Sequence, residues 1–472
     1  MVKQFLIALV WILAPFAALA QSDQDWKLCE AEDAAAAISA CTRLLEAGKL
    51  DDKNRAVVLT NRATAYWRKA DFDQAIIDAN KAIEIDAQYA SAYVRRGGSY
   101  FGKGDFDGAI ADATQAIALD PRDFRPFSNR GLAYAAKGNF DQAMADVEEA
   151  IAISPKDYRP YLARGGVYAQ KGDMERAIAN FTKAAEVNPQ DARAYDSRGN
   201  AYIRKGNYEA AISDASKAIE INPKESRTYL LRAAAYIRKG NFDQAIVDTT
   251  QAIEIDPKNA HAYDNRGFSH WRKGNYDLSI EDATKAIEID PKLTHVYAFR
   301  AAAFESKADY DAAIADRVRS IEFDPKNSLH VRSLGLTKFL AGDFSGASSD
   351  LARAFELRGD IHVALFLYLA RKQAGEPSAE AELEANAKQL PIKVWPYALA
   401  EFYLGKRSAA QLPAAETTRN IRCQTQFYVG EWYVLNGNRE EGRASLNAAV
   451  ESCPKELFES NAAIAELKRL KP

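Results

Sequence analysis

Histidine, cysteine and methionine are rare in this 472-residue chain, which carries five, four and three of them. With no His-x-x-x-His pair and no Cys-x-x-Cys spacing, zinc-type sites and thiol redox chemistry lack a signature. The Gly-x-Ser-x-Gly elbow, the phosphate-cradling loop and the dinucleotide fingerprint are missing as well, so the sequence points away from catalysis and no cofactor or metal is expected. Nor is there an excess of charge of one sign. The 62 basic side chains stand against 65 acidic ones, a balance that offers nucleic acid or anionic membrane no global attraction. After residue 20 no apolar run approaches the ~20 residues of a bilayer span.

The first twenty residues read as a secretory signal. Lys3 supplies the positive region, Phe5 to Leu13 the apolar core, and Ala18-Leu19-Ala20 a small-residue cleavage site that would leave Gln21 first. Pro15 and the shortness of the run argue against an uncleaved anchor. Cys29 is too far from the cleavage site to be a lipid-bearing first residue. An exported protein, placed in the periplasm of a Gram-negative bacterium, is expected. In that setting an even number of cysteines in two distant pairs, Cys29 with Cys41 and Cys423 with Cys453, predicts two terminal disulfides. Cys423 opens a helix and Cys453 ends the next one, so an antiparallel hairpin brings them to one edge.

The middle of the chain repeats every 34 residues. Glycine recurs at 104, 138, 172, 206, 240, 274 and 342, and proline at 121, 155, 189, 223, 257, 291 and 325. Each period holds two amphipathic segments parted by a Gly-Asn or Gly-Asp breaker, as in Ala192 to Lys205 and Tyr208 to Ile221. A small residue recurs where two helices must cross closely (Ala75, Ala109, Ala143, Ala177, Ala211, Ala245), because bulk there would part the axes. Tyr93, Tyr161, Tyr195 and Tyr229 open first helices, and Tyr100, Tyr134, Tyr168 and Tyr202 stand seven residues further on. A lone hairpin cannot hide its apolar face, so neighbours must stack.

Tyr-x-x-Arg-Gly-x-x-Tyr, then Ala, then Pro, resembles the tetratricopeptide-repeat (TPR) pattern. The resemblance implies an all-α TPR solenoid, a right-handed superhelix of antiparallel helix pairs. It divides the chain into a signal at 1–20, a degenerate opening hairpin at 21–55, nine tandem units at 56–361, irregular helical hairpins at 362–422, a terminal unit at 423–456 and a capping helix at 457–472. The terminal unit, with Phe-Tyr-Val-Gly-Glu-Trp, is similar to the last repeat of periplasmic TPR lipoproteins that bring murein hydrolases to a protease. One departure stands out: arginine, where the family places leucine, precedes the glycine position at 62, 96, 130, 164, 198, 232, 266 and 300. An acid recurs sixteen residues on, at Asp78, Asp112, Asp146, Asp214, Asp248, Asp282 and Asp316, which predicts a structural ladder of half-buried ion pairs. Asn180 breaks it opposite Arg164.

In the family, certain positions of the first helices face the concave side. Carried over, they place Arg125, Arg159, Arg193, Arg227, His261 and His295 in one basic column, with Arg68, Arg204, Arg238 and Arg272 in another. Asn61, Asn129, Asn200 and Asn265 fall where amides grip an extended peptide backbone. The guanidinium's planar fork suits carboxylates, so the expected partner is a protein or peptide with acidic groups or a free C-terminal carboxylate. The family's lysine and asparagine clamp is not reproduced. The function expected is a non-catalytic scaffold or adaptor. The rivals are a direct binder of peptidoglycan or its stem peptides, and an envelope enzyme that uses the repeats as a platform.

Overall fold

Short polar side chains decide where the helices begin. Asp71, Asp105, Asp173, Asp309 and Asp343, with Asn207 and Asn241, each accept a hydrogen bond from the backbone N–H three residues on. This satisfies a donor that the helix itself leaves over. The repeating glycine decides where the preceding helix stops: Gly104 and Gly172 are left-handed C-caps with φ of 82° and 88°, a region that costs side-chain-bearing residues energy. Ala70 and Ala308 occupy the same turn at φ 59° and 60°.

The computed structural model describes residues 23–390, 394–412, 418–454 and 457–471, and these are helical with short connections. The leader expected at 1–20, with the expected cleavage site, lies outside the described residues. Two compact units divide at Lys239 and Gly240. In the first, helical residues 23–29 and the helix Ala34–Glu46 precede the pairs Asp52–Arg68 with Phe72–Ile85, Ala90–Lys103 with Phe106–Leu119, Phe124–Ala136 with Phe140–Ile153, Arg159–Lys171 with Met174–Val187, and Ala192–Arg204 with Tyr208–Ile221; Ser226–Lys239 ends it. The core between helices is built from small residues: Ala75, Ala109, Ala143, Ala177 and Ala211 are at most 1% exposed. A Cβ on Gly131 would lie 2.8 Å from Val147 and 3.0 Å from the Ala143 carbonyl, so the helix crossing there has no room for even a methyl group.

The second unit opens with Phe242–Ile255 and continues through the pairs Ala260–Arg272 with Tyr276–Ile289, Thr294–Ser306 with Tyr310–Phe323, and Ser328–Ala341 with Phe344–Leu357. Its far end is packed differently. The helix Ile361–Gln373 has eight consecutive buried residues, Val363 to Ala370. A helix apolar on every side must be surrounded, and this one lies in a continuous core of leucine and aromatic side chains that runs from Val331 to Leu470. The helix Phe458–Arg469 caps the terminal pair Arg419–Leu435 and Arg439–Ser452, and also returns to the helix Ser328–Ala341, where Arg469 Nη1 donates to the Leu340 carbonyl at 3.0 Å.

Both disulfides form as expected. Cys29 and Cys41 have Cα atoms 4.9 Å apart, and Cys423 and Cys453 4.7 Å. Closing loops of 12 and 30 residues restricts the unfolded chain, a stabilisation of roughly 3 to 4 kcal/mol each in the chain-entropy model.

Candidate functional site

The arginines before the glycine position are structural, and they do more than expected. Arg62, Arg96, Arg130 and Arg198 each make two hydrogen bonds of 2.7 to 2.8 Å to the aspartate sixteen residues on, and Arg266 and Arg300 do the same at 2.7 to 2.9 Å. The third nitrogen of each reaches back to the preceding hairpin, to Thr42, Asn80, Thr114, Thr182, Thr250 and Thr284 respectively. One guanidinium therefore joins three helices. Arg164 makes a single bond to the Asn180 carbonyl oxygen at 2.7 Å.

The arginines assigned to the partner are less free than the sequence suggests. Asp123, Asp157 and Asp191 each accept the backbone N–H two residues on, and the same carboxylates hold the guanidiniums of Arg125, Arg159 and Arg193. The hydrogen bond to Asp157 raises the Arg159 pKa, and that to Asp191 raises the Arg193 pKa. Arg159 also lies 4.7 Å from the Phe124 ring centre, while Arg193 stacks on Tyr158 at 5.5 Å and donates to its hydroxyl.

Arg125, Asn129, Arg159 and Arg193 nevertheless come together. They line one cavity of about 330 Å3 whose apolar surface comes from Trp67, Phe101, Phe124, Leu132 and Leu162. Trp67 is anchored by its indole N–H, which donates to the Gly98 carbonyl at 3.2 Å. Beside it stands Arg95, its guanidinium 5.5 Å from the Trp67 ring centre and its Nε buried without a partner. Burial, with Arg125 and Arg68 nearby, pushes its pKa down to about 10. Neither Arg95 nor the aromatic floor is among the candidates that the sequence offers. Arg95 was detectable, since it stands one 34-residue period from Asn61 and from Asn129.

The remaining candidates go elsewhere. Arg68 and Arg204 donate to the carbonyls of Ala31 and Ala169 at 2.8 and 2.9 Å. Arg272 lies 4.7 Å from the Phe242 ring centre. Arg227, Arg238, His261 and Asn200 are exposed, and Asn61 and Asn265 half-buried. His295 Nε2 meets Asp264 Oδ2 at 2.6 Å, and this hydrogen bond raises the imidazole pKa. Asp196, which accepts from Thr228 at 3.1 Å, is pushed up by burial to about 6. Among the described residues no group of three or more His, Cys, Asp or Glu is placed to hold a metal ion.

Comparison with known proteins agrees with the paired-helix fold. Tetratricopeptide-repeat family models match residues 56–89, 94–158, 162–226 and 260–293, and a further TPR-repeat model matches 234–274. The chain is a tetratricopeptide-repeat protein with several TPR repeats, and its all-helical fold is that of a TPR solenoid. Similar solved structures include a tetratricopeptide repeat protein from Parabacteroides merdae, with 21% identity over 53% of this chain and 99% of that one at a TM-score of 0.40. Pseudomonas aeruginosa pilF shows 15% identity over 45% of this chain and 96% of its own, with a TM-score of 0.39. YrrB, described as a TPR protein with an unusual peptide-binding site, shows 22% identity over 39% of this chain and 95% of its own at 0.28.

Proposed function

We propose that the protein is a non-catalytic periplasmic scaffold that holds a protein or extended peptide against the arginine-rimmed cavity of its first unit. The observation that carries this reading is the pairing of an apolar floor, Trp67, Phe101, Phe124, Leu132 and Leu162, with a rim of Arg125, Asn129, Arg159 and Arg193. Such a site takes an apolar side chain and an acidic neighbour together. Arg95, its guanidinium 5.5 Å from the Trp67 ring centre, adds a further positive charge beside this lining. TPR repeats typically mediate protein or peptide binding. Export is supported by the two disulfides, which persist in oxidising compartments, and by the leader read from Lys3 to Ala20. The similarity of the terminal repeat to adaptor lipoproteins fits the same place.

The test is affinity capture from an envelope extract, comparing wild type with a variant carrying alanine at Arg125, Arg159 and Arg193. Loss of partners is expected, and an unchanged set removes this face from consideration. Sedimentation with purified murein separates an adaptor from a direct peptidoglycan binder. Four reactive thiols in protein taken from its native compartment would refute export.

A further inference from the structure

The second unit contains a cavity that this function does not use. It measures about 270 Å3, and Leu336, Phe366, Leu457 and Phe458 make its apolar wall. Three ionisable side chains join that wall: Arg332, His362 and Glu459.

Glu459 is buried, at 4% exposure, and its partners are set in place by a chain of directed bonds. The Trp395 indole N–H, which can only donate, points at Gln424 Oε1 at 2.8 Å. The Gln424 amide is thereby oriented with Nε2 donating to Glu459 Oε1 at 2.9 Å. His362 Nδ1 stands 3.9 Å from the same oxygen. All these interactions fall on Oε1. Across the cavity lining, Arg332 has its Nε buried with no hydrogen-bond partner. Its side chain also borders a neighbouring cavity of about 260 Å3, shared with Arg358. Arg332 lines this cavity, and the planar fork of a guanidinium suits a carboxylate.

The geometry points to a binding site for a small zwitterion with an apolar side chain, a free α-amino acid of the leucine or phenylalanine type. Its carboxylate meets Arg332, its ammonium meets Glu459, and its side chain lies among Phe366, Phe458 and Leu336. Size agrees, because drug-sized ligands occupy cavities of about 300 Å3 and upward, and this one is smaller. The site is independent of the arginine-rimmed face.

Calorimetric titration of the full chain with L-leucine, N-acetyl-L-leucine and L-leucinamide tests it. Leucine is expected to bind saturably, with each capped analogue at least tenfold weaker. Arg332→Gln weakens leucine at least tenfold and leaves leucinamide unchanged, whereas Glu459→Gln leaves N-acetyl-leucine unchanged. Leu336→Trp fills the cavity and abolishes all binding. Alanine at Arg125, Arg159 and Arg193 leaves the leucine titration as in wild type, so this site and the partner face fail separately. If Glu459→Gln does not fold, the two other variants and the analogues decide. No saturable binding of leucine, equal binding of either analogue, or full binding by Leu336→Trp each overturns the assignment.

Discussion

The guanidinium of Arg198 holds the carboxylate of Asp214 through two parallel hydrogen bonds of 2.8 and 2.7 Å. Asp214 is buried, so removing its partner leaves an uncompensated charge in a poorly solvated place. Arg198→Ala is therefore expected to cost about 3 kcal/mol. Arg159→Ala, whose ion pair is 46% exposed on the arginine side, should cost under about 1 kcal/mol. Urea melts followed by circular dichroism distinguish the two, and equal costs would show that the ladder is not structural.

The broken rung offers the reverse experiment. Arg164 makes one bond to Asn180, whose amide nitrogen is spent on the Arg176 carbonyl at 2.8 Å. Asn180→Asp supplies the second acceptor that the other rungs use. A gain on the order of 1 kcal/mol is expected, read as a higher thermal midpoint at neutral pH; a lower midpoint contradicts it.

Ala70 and Ala308 stand at φ 59° and 60° where neighbouring repeats use glycine. A left-handed backbone costs a residue with a Cβ about 1 to 2 kcal/mol. Glycine at either position should stabilise by about 1 kcal/mol, since some of the gain is returned as unfolded-state entropy. Glycine at Gly138, which already sits at φ 81°, provides the opposite control: Gly138→Ala should destabilise by a similar amount.

His295 and Asp264 form a contact that responds to pH. Their hydrogen bond raises the imidazole pKa above 6.5, so the folded state favours the protonated ring. The stabilisation is complete below the unfolded value and fades as pH rises through the folded one. An NMR titration of His295 should give a lower midpoint in Asp264→Asn than in wild type. Identical midpoints would mean that the contact is absent in solution.

In the far end of the second unit Glu431 is fully buried, both carboxylate oxygens lacking a hydrogen bond. Burial, with Glu466 beside it, holds its pKa well above the usual range, so folding favours the neutral form. The unfolded chain releases that proton near pH 4.3, and the stability of this end falls as pH climbs above it. Glu431→Gln should raise the unfolding midpoint at pH 7.5 and change little at pH 4. A uniform shift at both would deny Glu431 this role.

Much of this was readable in advance for a simple reason: a 34-residue period constrains each column many times over. The helix pair predicted at Ala192 to Lys205 and Tyr208 to Ile221 is observed at Ala192–Arg204 and Tyr208–Ile221. The pairing of Arg62 with Asp78 and its equivalents followed from two columns sixteen residues apart. What escaped was whatever depends on neighbours outside the period. The aspartates beside Arg125, Arg159 and Arg193 are an example: each accepts a backbone N–H at a helix start and serves as a counter-ion at once. In residues 362–422, without a repeating column, the buried helix Ile361–Gln373 could be read as helical but not as the centre of a core.

Sequence alone determined the helical hairpin, its breaker glycines, its small-residue crossings and the ion-pair columns, because these are local or recur at a fixed distance along the chain. Tertiary structure decided which charged groups keep a free valence. Arg125 and Arg95 are both arginines on neighbouring first helices, but a cap carboxylate two residues away neutralises one, while packing against Trp67 isolates the other. Desolvation and counter-ion distance are properties of the folded surroundings, and no spacing in the sequence records them.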